Sequence, residues 1–229
     1  MPDKPERDRQ SHRWRGFDYS APCGYFVTIC IEDRRCLFGR VIAGETISRG
    51  RILSTREVDE GRAACVELSP LGRIVDECWR EIPAHFPAVA IPSYVVMPNH
   101  VHGIVQITPT PEWAAKVRQW REEDSKPRGT RRGDIYVAPT PASPIARGPA
   151  PKSLGVIIGT FKAAVTRRAR QLGLISSQLW QRDFHDRVLR DDEWDAAFNY
   201  IHLNPLRWAL DRYNPERTGT DELDQWLDS

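Results

Sequence analysis

Two histidines separated by one residue, His100 and His102, lie in the run Pro98-Asn99-His100-Val101-His102-Gly103-Ile104-Val105-Gln106-Ile107. On an extended chain alternate side chains face the same way, so the two imidazoles stand side by side with Cα atoms about 6.5 Å apart. Val101, Val105 and Ile107 face the other way, toward a core. Neutral imidazole is the commonest protein ligand for a metal ion near neutral pH, and two on one strand face can share a divalent ion. Gly103 is expected to leave room beside that ion. The same pattern also describes two half-exposed polar residues on a solvated sheet face. Two ligands make an incomplete site, so a third must come from elsewhere in the chain.

The last helical pattern offers candidates. Trp194, Ala197, Phe198 and Ile201 fall on one face of a helix that begins near Asp192. At about 100° per residue, Tyr200 lies about 120° from the centre of that face and Asn204 about 80° away on the same side. The phenol and the amide therefore share one flank, a turn apart, where they can reach over a neighbouring sheet. The Asn204 carbonyl oxygen suits a hard ion such as Mg²⁺ or Mn²⁺. Asn204-Pro205 equally reads as an N-cap followed by proline at the first position of a short helix over Leu206–Leu210. Tyr200 also reads as a boundary aromatic.

These groups need a scaffold. Gly24 to Ile31 is β-branched and aromatic and predicts a first strand, with a weaker one over Glu45 to Leu53. Ser69-Pro70 opens a helix carrying Leu71, Ile74, Val75 and Cys78 at helical spacing and ending before Pro83. Ala88 to Met97 and His100 to Ile107 predict a hairpin joined by Pro98-Asn99. Ser153 is placed as the N-cap of a helix with Leu154, Ile157, Ile158, Phe161 and Val165 on one face, Lys162, Arg167, Arg168 and Arg170 on its polar side, and Gly173 at its end. A short strand is expected at Leu179–Gln181 or Arg187–Leu189. The order predicts an α+β fold, a mainly antiparallel sheet with helices on one face.

Around this lie an N-terminal arm (1–22), an inserted loop (109–151) and an acidic tail (211–229), with the main domain over 23–210. The insert holds eight prolines, and its Lys116–Arg132 stretch carries seven basic and three acidic side chains. A short helix around Trp113–Arg121 is one reading of its start. The chain has 229 residues and a net charge of +2, too small by itself to announce a nucleic-acid partner. The first residues lack the apolar run of a secretory signal, and no stretch approaches 18 apolar residues, so no membrane association is expected. Five cysteines without a C-x-x-C pair argue against a zinc or disulfide framework and for reduced, buried thiols, hence a cytoplasmic location. No G-x-x-x-x-G-K-[ST] loop is present, so no nucleotide cofactor is expected.

Four segments taken together resemble one family: Tyr25-Phe26-Val27-Thr28-Ile29-Cys30, Val95 through Ile104, Leu179-Trp180-Gln181-Arg182 and Tyr200-Ile201-His202-Leu203-Asn204-Pro205. Their order and spacing are similar to those of the single-tyrosine HUH-type transposases, specifically the insertion-sequence-200-like and REP-associated tyrosine transposases. The resemblance runs from about Tyr25 to about Leu210 and skips most of the Pro-rich insert. It implies a ferredoxin-like or RRM-like sheet with the histidines on a central strand. It also implies Mg²⁺ or Mn²⁺ on His100 and His102 with Asn204 as candidate third ligand, and Tyr200 as the nucleophile. The implied activity is single-stranded DNA cleavage and strand transfer through a 5′-phosphotyrosine, on single-stranded or hairpin DNA, by a monomer or a homodimer. Lys162, Arg167, Arg168 and Arg170 are the expected DNA-binding residues, with Trp113, Trp120 and Tyr136 available for base stacking. The alternative is a domesticated hairpin-binding regulatory protein without turnover. His85, His185 and His202 are read as surface or packing residues.

Overall fold

The computed structural model describes residues 17–44, 63–111, 115, 153–221 and 224–228. The first strand, β1 (Gly24–Cys30), is buried along its whole length, which is why its sequence is apolar on both faces instead of alternating. Its neighbour β6 (His100–Ile107) runs antiparallel to it, pairing Thr28 with His102 and Cys30 with His100. The other edge of β1 carries β7 (His185–Leu189), also antiparallel. The far edge of β6 carries two short strands, β4 (Val89–Ala90) and β5 (Tyr94–Val96).

The single strand expected over Ala88 to Met97 is thus two pieces. Pro92 interrupts them because it has no N–H to give to a ladder. The β5–β6 hairpin turns at Pro98-Asn99 as expected, closed by Met97 N–H donating to His100 O at 2.8 Å.

Helix α1 (Pro70–Arg80) starts where the sequence indicates: Ser69 Oγ accepts from Gly72 N–H at 3.0 Å, and proline takes the first turn. A one-turn helix, α2 (Ile82–His85), follows. Helix α3 (Leu154–Gln171) ends in a Schellman motif, with Gly173 at φ +67° and bonds from Gly173 N–H to Arg170 O and Leu174 N–H to Ala169 O. Ser153 is at its N-cap with extended backbone, but its hydroxyl makes no cap bond. Helix α4 (Trp194–Leu203) and a short α5 (Asp224–Asp228) complete the main elements.

The succession β1, α1, β5, β6, α3, β7 with sheet order β5-β6-β1-β7 is the split β-α-β arrangement of ferredoxin-like folds, antiparallel throughout. Helices α1 and α3 bury Leu71, Val75, Trp79, Ile157, Phe161 and Val165 against Tyr25, Val27, Ile29, Val101 and Val105. The expectation of helices on one face is corrected by α4, which packs on the opposite face through Ala197, Tyr200 and Ile201 with Phe26 and Ile104. Both faces of the central strands are therefore dry.

A second, two-stranded ribbon, β2 (Gly39–Gly44) with β3 (Ala63–Leu68), went unnoticed in the sequence. Val41 and Val66 face the core, but the exposed side carries Ile42 beside Arg40 and Glu67, so the ribbon lacks a clean alternation. The strand expected over Glu45–Leu53, the first 16 residues, and Trp113, Trp120 and Tyr136 lie outside the described residues.

Gly103 serves a different purpose from the one expected. Its period-2 position puts it on the Val101 side, where a Cβ would stand 2.4 Å from Trp79 Cζ2. It makes room for the indole of α1, not for an ion beside the histidines.

Candidate metal and tyrosine site

His100 and His102 project from β6 toward α4, with ring centroids 4.4 Å apart and both rings fully buried. Each has its Nδ1 occupied: Asn99 Oδ1 is 2.7 Å from His100 Nδ1, and Thr28 Oγ1 is 2.9 Å from His102 Nδ1. Thr28 reaches His102 because the two are direct cross-strand partners. Both Nε2 atoms are buried and have no hydrogen-bond partner.

A third group completes the cluster. Asp211 Oδ2, likewise buried and unpartnered, lies 3.7 Å from His100 Nε2. One ligand atom from each of His100, His102 and Asp211 falls within 4.8 Å of the others. The other oxygen, Asp211 Oδ1, accepts from Tyr213 N–H at 2.6 Å, which fixes the carboxylate. Asn204 favours the ionised form of this carboxylate, and its own buried Oδ1 has no hydrogen-bond partner.

Electrostatics agree with an ion-ready set. Burial holds His100 down at about 3, helped by the Arg34 charge, and holds His102 well below its ordinary value, helped by His100. Both imidazoles are neutral at pH 7 and keep a lone pair. Burial pushes the Asp211 carboxyl up, against the pull of His102, the Tyr213 N–H and Asn204. Three inward-facing orphan atoms of two imidazoles and one carboxylate are costly in a dry interior unless a cation joins them. N₂O is also a donor set that suits a divalent ion. The residues present fit such a group.

Tyr200 lies beside the cluster. Its ring meets His102 edge-on at 5.0 Å and Phe26 at 5.7 Å, and it is only 2% exposed. The expected buried stripe of α4 is rotated by part of a turn: Ala197, Tyr200, Ile201 and Asn204 are buried at i, i+3, i+4 and i+7, while Trp194 and Phe198 are half-buried. Tyr200 is thus part of the seam and not on its flank. Its hydroxyl is 3.4 Å from Asp224 Oδ1, and burial, then Asp211 and Asp224, raise its pKa well above 10. Asn204 caps the C-terminus of α4 with helical φ/ψ, so it does not begin the following 3₁₀ turn, Trp208–Leu210.

Asp211 carries no local signal that sets it apart from the acidic residues around it, which read as a tail. The signal in the sequence is aromatic: Tyr213 and Trp226 are too apolar for a solvated tail, and with Trp208 just before it they pack over His100, His102, Phe26 and Tyr200.

The basic residues of α3 are on the far side of the sheet from the histidines, since α3 packs on the Val101 face. Lys162 Nζ donates to Gln181 O and Asp183 O, and Arg168 pairs with Glu81. Arg167 and Arg170 are exposed. Of the other histidines, His85 and His185 are exposed and His202 Nε2 lies 3.4 Å from Ser93 Oγ. Among the cysteines Cys30 and Cys78 are buried as expected, whereas Cys36 is exposed.

No protein-family model matches the chain. A relative from Haemophilus influenzae, an uncharacterized protein, is 29% identical over 205 residues, covering 89% of this chain and 92% of the relative. The solved structure of a REP-associated tyrosine transposase bound to a REP hairpin is similar at 12% identity and a TM-score of 0.42, covering 86% of this chain and 74% of that one. Among the described residues, no helix is long and apolar enough to cross a membrane.

Proposed function

We propose that the chain is a metal-dependent, single-stranded DNA endonuclease and strand transferase of the single-tyrosine HUH type. The observation that carries this reading is the convergence of Tyr200 with three unpartnered ligand atoms, on His100, His102 and Asp211, in one buried cluster. The four sequence segments that resemble the HUH transposases support it, since the histidine pair and Tyr200 come from two of them.

A divalent ion, Mg²⁺ or Mn²⁺, would supply Lewis-acid stabilisation of charge on a scissile phosphate. The two neutral imidazoles and the Asp211 carboxylate would hold it, and the unpartnered Asn204 amide oxygen would be available as a further ligand. Tyr200 Oη attacks the phosphorus, the bond to the 3′ oxygen breaks, and a 5′-phosphotyrosine forms. The phenol proton passes to Asp224, whose carboxyl is raised by burial and so is a better acceptor than a free one. The departing 3′ oxygen takes a proton from solvent. The reverse attack by a 3′-hydroxyl rejoins a strand and returns Tyr200. Each step exchanges one phosphoester for another, so no ATP is consumed.

A strand reaches this cluster only when the covering side chains of Trp208, Tyr213 and Trp226 are displaced. Arg167 and Arg170, across the sheet, suit a distant part of a hairpin and not the scissile phosphate.

The test is incubation with a panel of single-stranded hairpins and Mn²⁺, followed by denaturing electrophoresis and peptide mass spectrometry. The expected product is a covalent adduct on Tyr200, absent from Tyr200→Phe. Cleavage by Tyr200→Phe at the parent rate overturns the assignment. Tight hairpin binding with no adduct under any condition supports the hairpin-binding regulator instead.

A further inference from the structure

We propose that Asn99 is a positioning residue that fixes the imidazole tautomer of His100 and so aims its Nε2 lone pair at Asp211. The inference rests on the metal reading of the cluster and adds to it a residue outside the ligand set.

The assignment follows from counting donors. Asn99 is buried, and its side-chain amide has two N–H groups. One donates to Arg34 O at 2.9 Å and the other to Tyr213 O at 2.7 Å. Both partners are carbonyls, which only accept. Flipping the amide would set its oxygen against them, so the orientation has one solution. Asn99 Oδ1 then faces His100 Nδ1 at 2.7 Å as an acceptor. A neutral imidazole opposite an obligate acceptor must carry its proton there. That leaves Nε2 bare, 3.7 Å from Asp211 Oδ2 and directed into the cluster. Without Asn99, the carboxylate beside Nε2 would draw the proton to that nitrogen, the tautomer that cannot bind an ion.

The backbone around Asn99 is arranged to hold it. Asp33 (φ 56°, ψ 14°) and Arg34 (φ 53°) are consecutive left-handed residues in the turn after β1. Left-handed non-glycine residues cost about 1–2 kcal/mol each, and such strain gathers where a function needs it. In this turn Arg34 O accepts the Asn99 amide. Tyr213 O reaches Asn99 two residues after Asp211, so one amide ties the first loop, the histidine strand and the segment bearing the carboxylate. Thr28 occupies the matching place on His102, but a hydroxyl donates or accepts and does not by itself choose a tautomer.

The test reads the tautomer and the ion separately. Long-range ¹H–¹⁵N spectra of the apoprotein report which ring nitrogen of His100 is protonated, and calorimetry reports Mn²⁺ affinity. Wild type is expected to show His100 as the Nδ1–H form. Asn99→Leu removes the acceptor, and its His100 should move to the Nε2–H form with Mn²⁺ affinity lower by ten- to a hundred-fold. Asn99→Asp keeps an acceptor toward Nδ1 but sets its second oxygen against Arg34 O and Tyr213 O, so it should retain the Nδ1–H form in a protein that unfolds at lower urea than wild type. A wild-type His100 found as Nε2–H overturns the inference without any variant. So does an Asn99→Leu protein whose tautomer and affinity are unchanged. If wild type shows the expected tautomer, Asn99→Leu shifts it, and neither protein binds Mn²⁺, the metal reading fails while the role of Asn99 stands.

Discussion

His100 Nε2 and Asp211 Oδ2 face each other across 3.7 Å of dry interior, neither with a hydrogen-bond partner. One belongs to the second strand of a hairpin, the other to the segment that follows α4. The gap is too long for a hydrogen bond, and protonation of His100 is suppressed by its burial, so no ordinary ion pair closes it. Together with His102 it is the arrangement expected of a cation site.

Asp211→Asn should therefore separate stability from binding. The amide keeps the shape and removes a carboxylate that burial already disfavours, so the apoprotein should melt at or above the wild-type temperature. Wild type should gain about 2.7 kcal/mol at Mn²⁺ a hundred-fold above its dissociation constant, and the variant should gain little at the same concentration. Thermal melts with and without Mn²⁺ check this; an equal metal-induced shift in both proteins would remove Asp211 from the ligand set.

Gly103→Ala should destabilise the fold from the other side of the same strand. The new methyl would press on Trp79 at 2.4 Å, and Trp79 is held edge-on against Phe161 at 4.9 Å with little room to withdraw. Overpacking of this kind costs about 1–3 kcal/mol, readable by urea denaturation. Mn²⁺ affinity of the folded fraction should stay unchanged, because the methyl points away from His100 and His102. A fall in affinity at full stability would show that the glycine serves the ion after all.

Alkaline pH should weaken the fold. Burial raises Tyr25, Tyr94, Tyr200 and Tyr213 well above their ordinary value, and Tyr25 is also held by its hydroxyl donating to Ala21 O at 2.8 Å. In the unfolded chain these phenols ionise near pH 10. Above that pH the unfolded state has released protons that the folded state keeps, so stability falls as pH rises. Urea midpoints should be lower at pH 10.5 than at pH 8. The tyrosinate absorbance near 295 nm that belongs to these four phenols should appear with unfolding and not before it; titration of more than two of the six tyrosines ahead of unfolding would contradict the burial.

Arg167 and Arg170 test the remote contact. Both are exposed, so Arg167→Ala and Arg170→Ala should leave stability within about 0.5 kcal/mol. If each meets a phosphate, hairpin affinity should fall and the slope of log affinity against log salt should drop by about one per residue. Arg168→Ala should act differently, losing the Glu81 pair as well. An unaltered salt slope in the double variant would remove Arg167 and Arg170 from the proposed phosphate contacts.

The strands that carry the site were legible because periodicity is local. Gly24–Cys30 and His100–Ile107 announce themselves by β-branched residues, and Ser69 and Gly173 mark helix ends by chemistry that needs no tertiary partner. The same locality explains the errors. Trp194 and Phe198 are as apolar as Ile201, so local periodicity runs the buried stripe of α4 through them and leaves Tyr200 on the flank. Only the surface it meets, Phe26 and Ile104 of the sheet, selects the stripe that buries Tyr200.

By itself the sequence determined a histidine pair on one strand face, a tyrosine on a late helix, and the order of elements between them. Tertiary structure decided that Asp211 joins the histidines, that Asn99 faces His100, and that the basic face of α3 lies across the sheet. These are contacts between residues far apart in the chain, set by how two faces of one sheet are covered, and no local pattern encodes which face receives which helix.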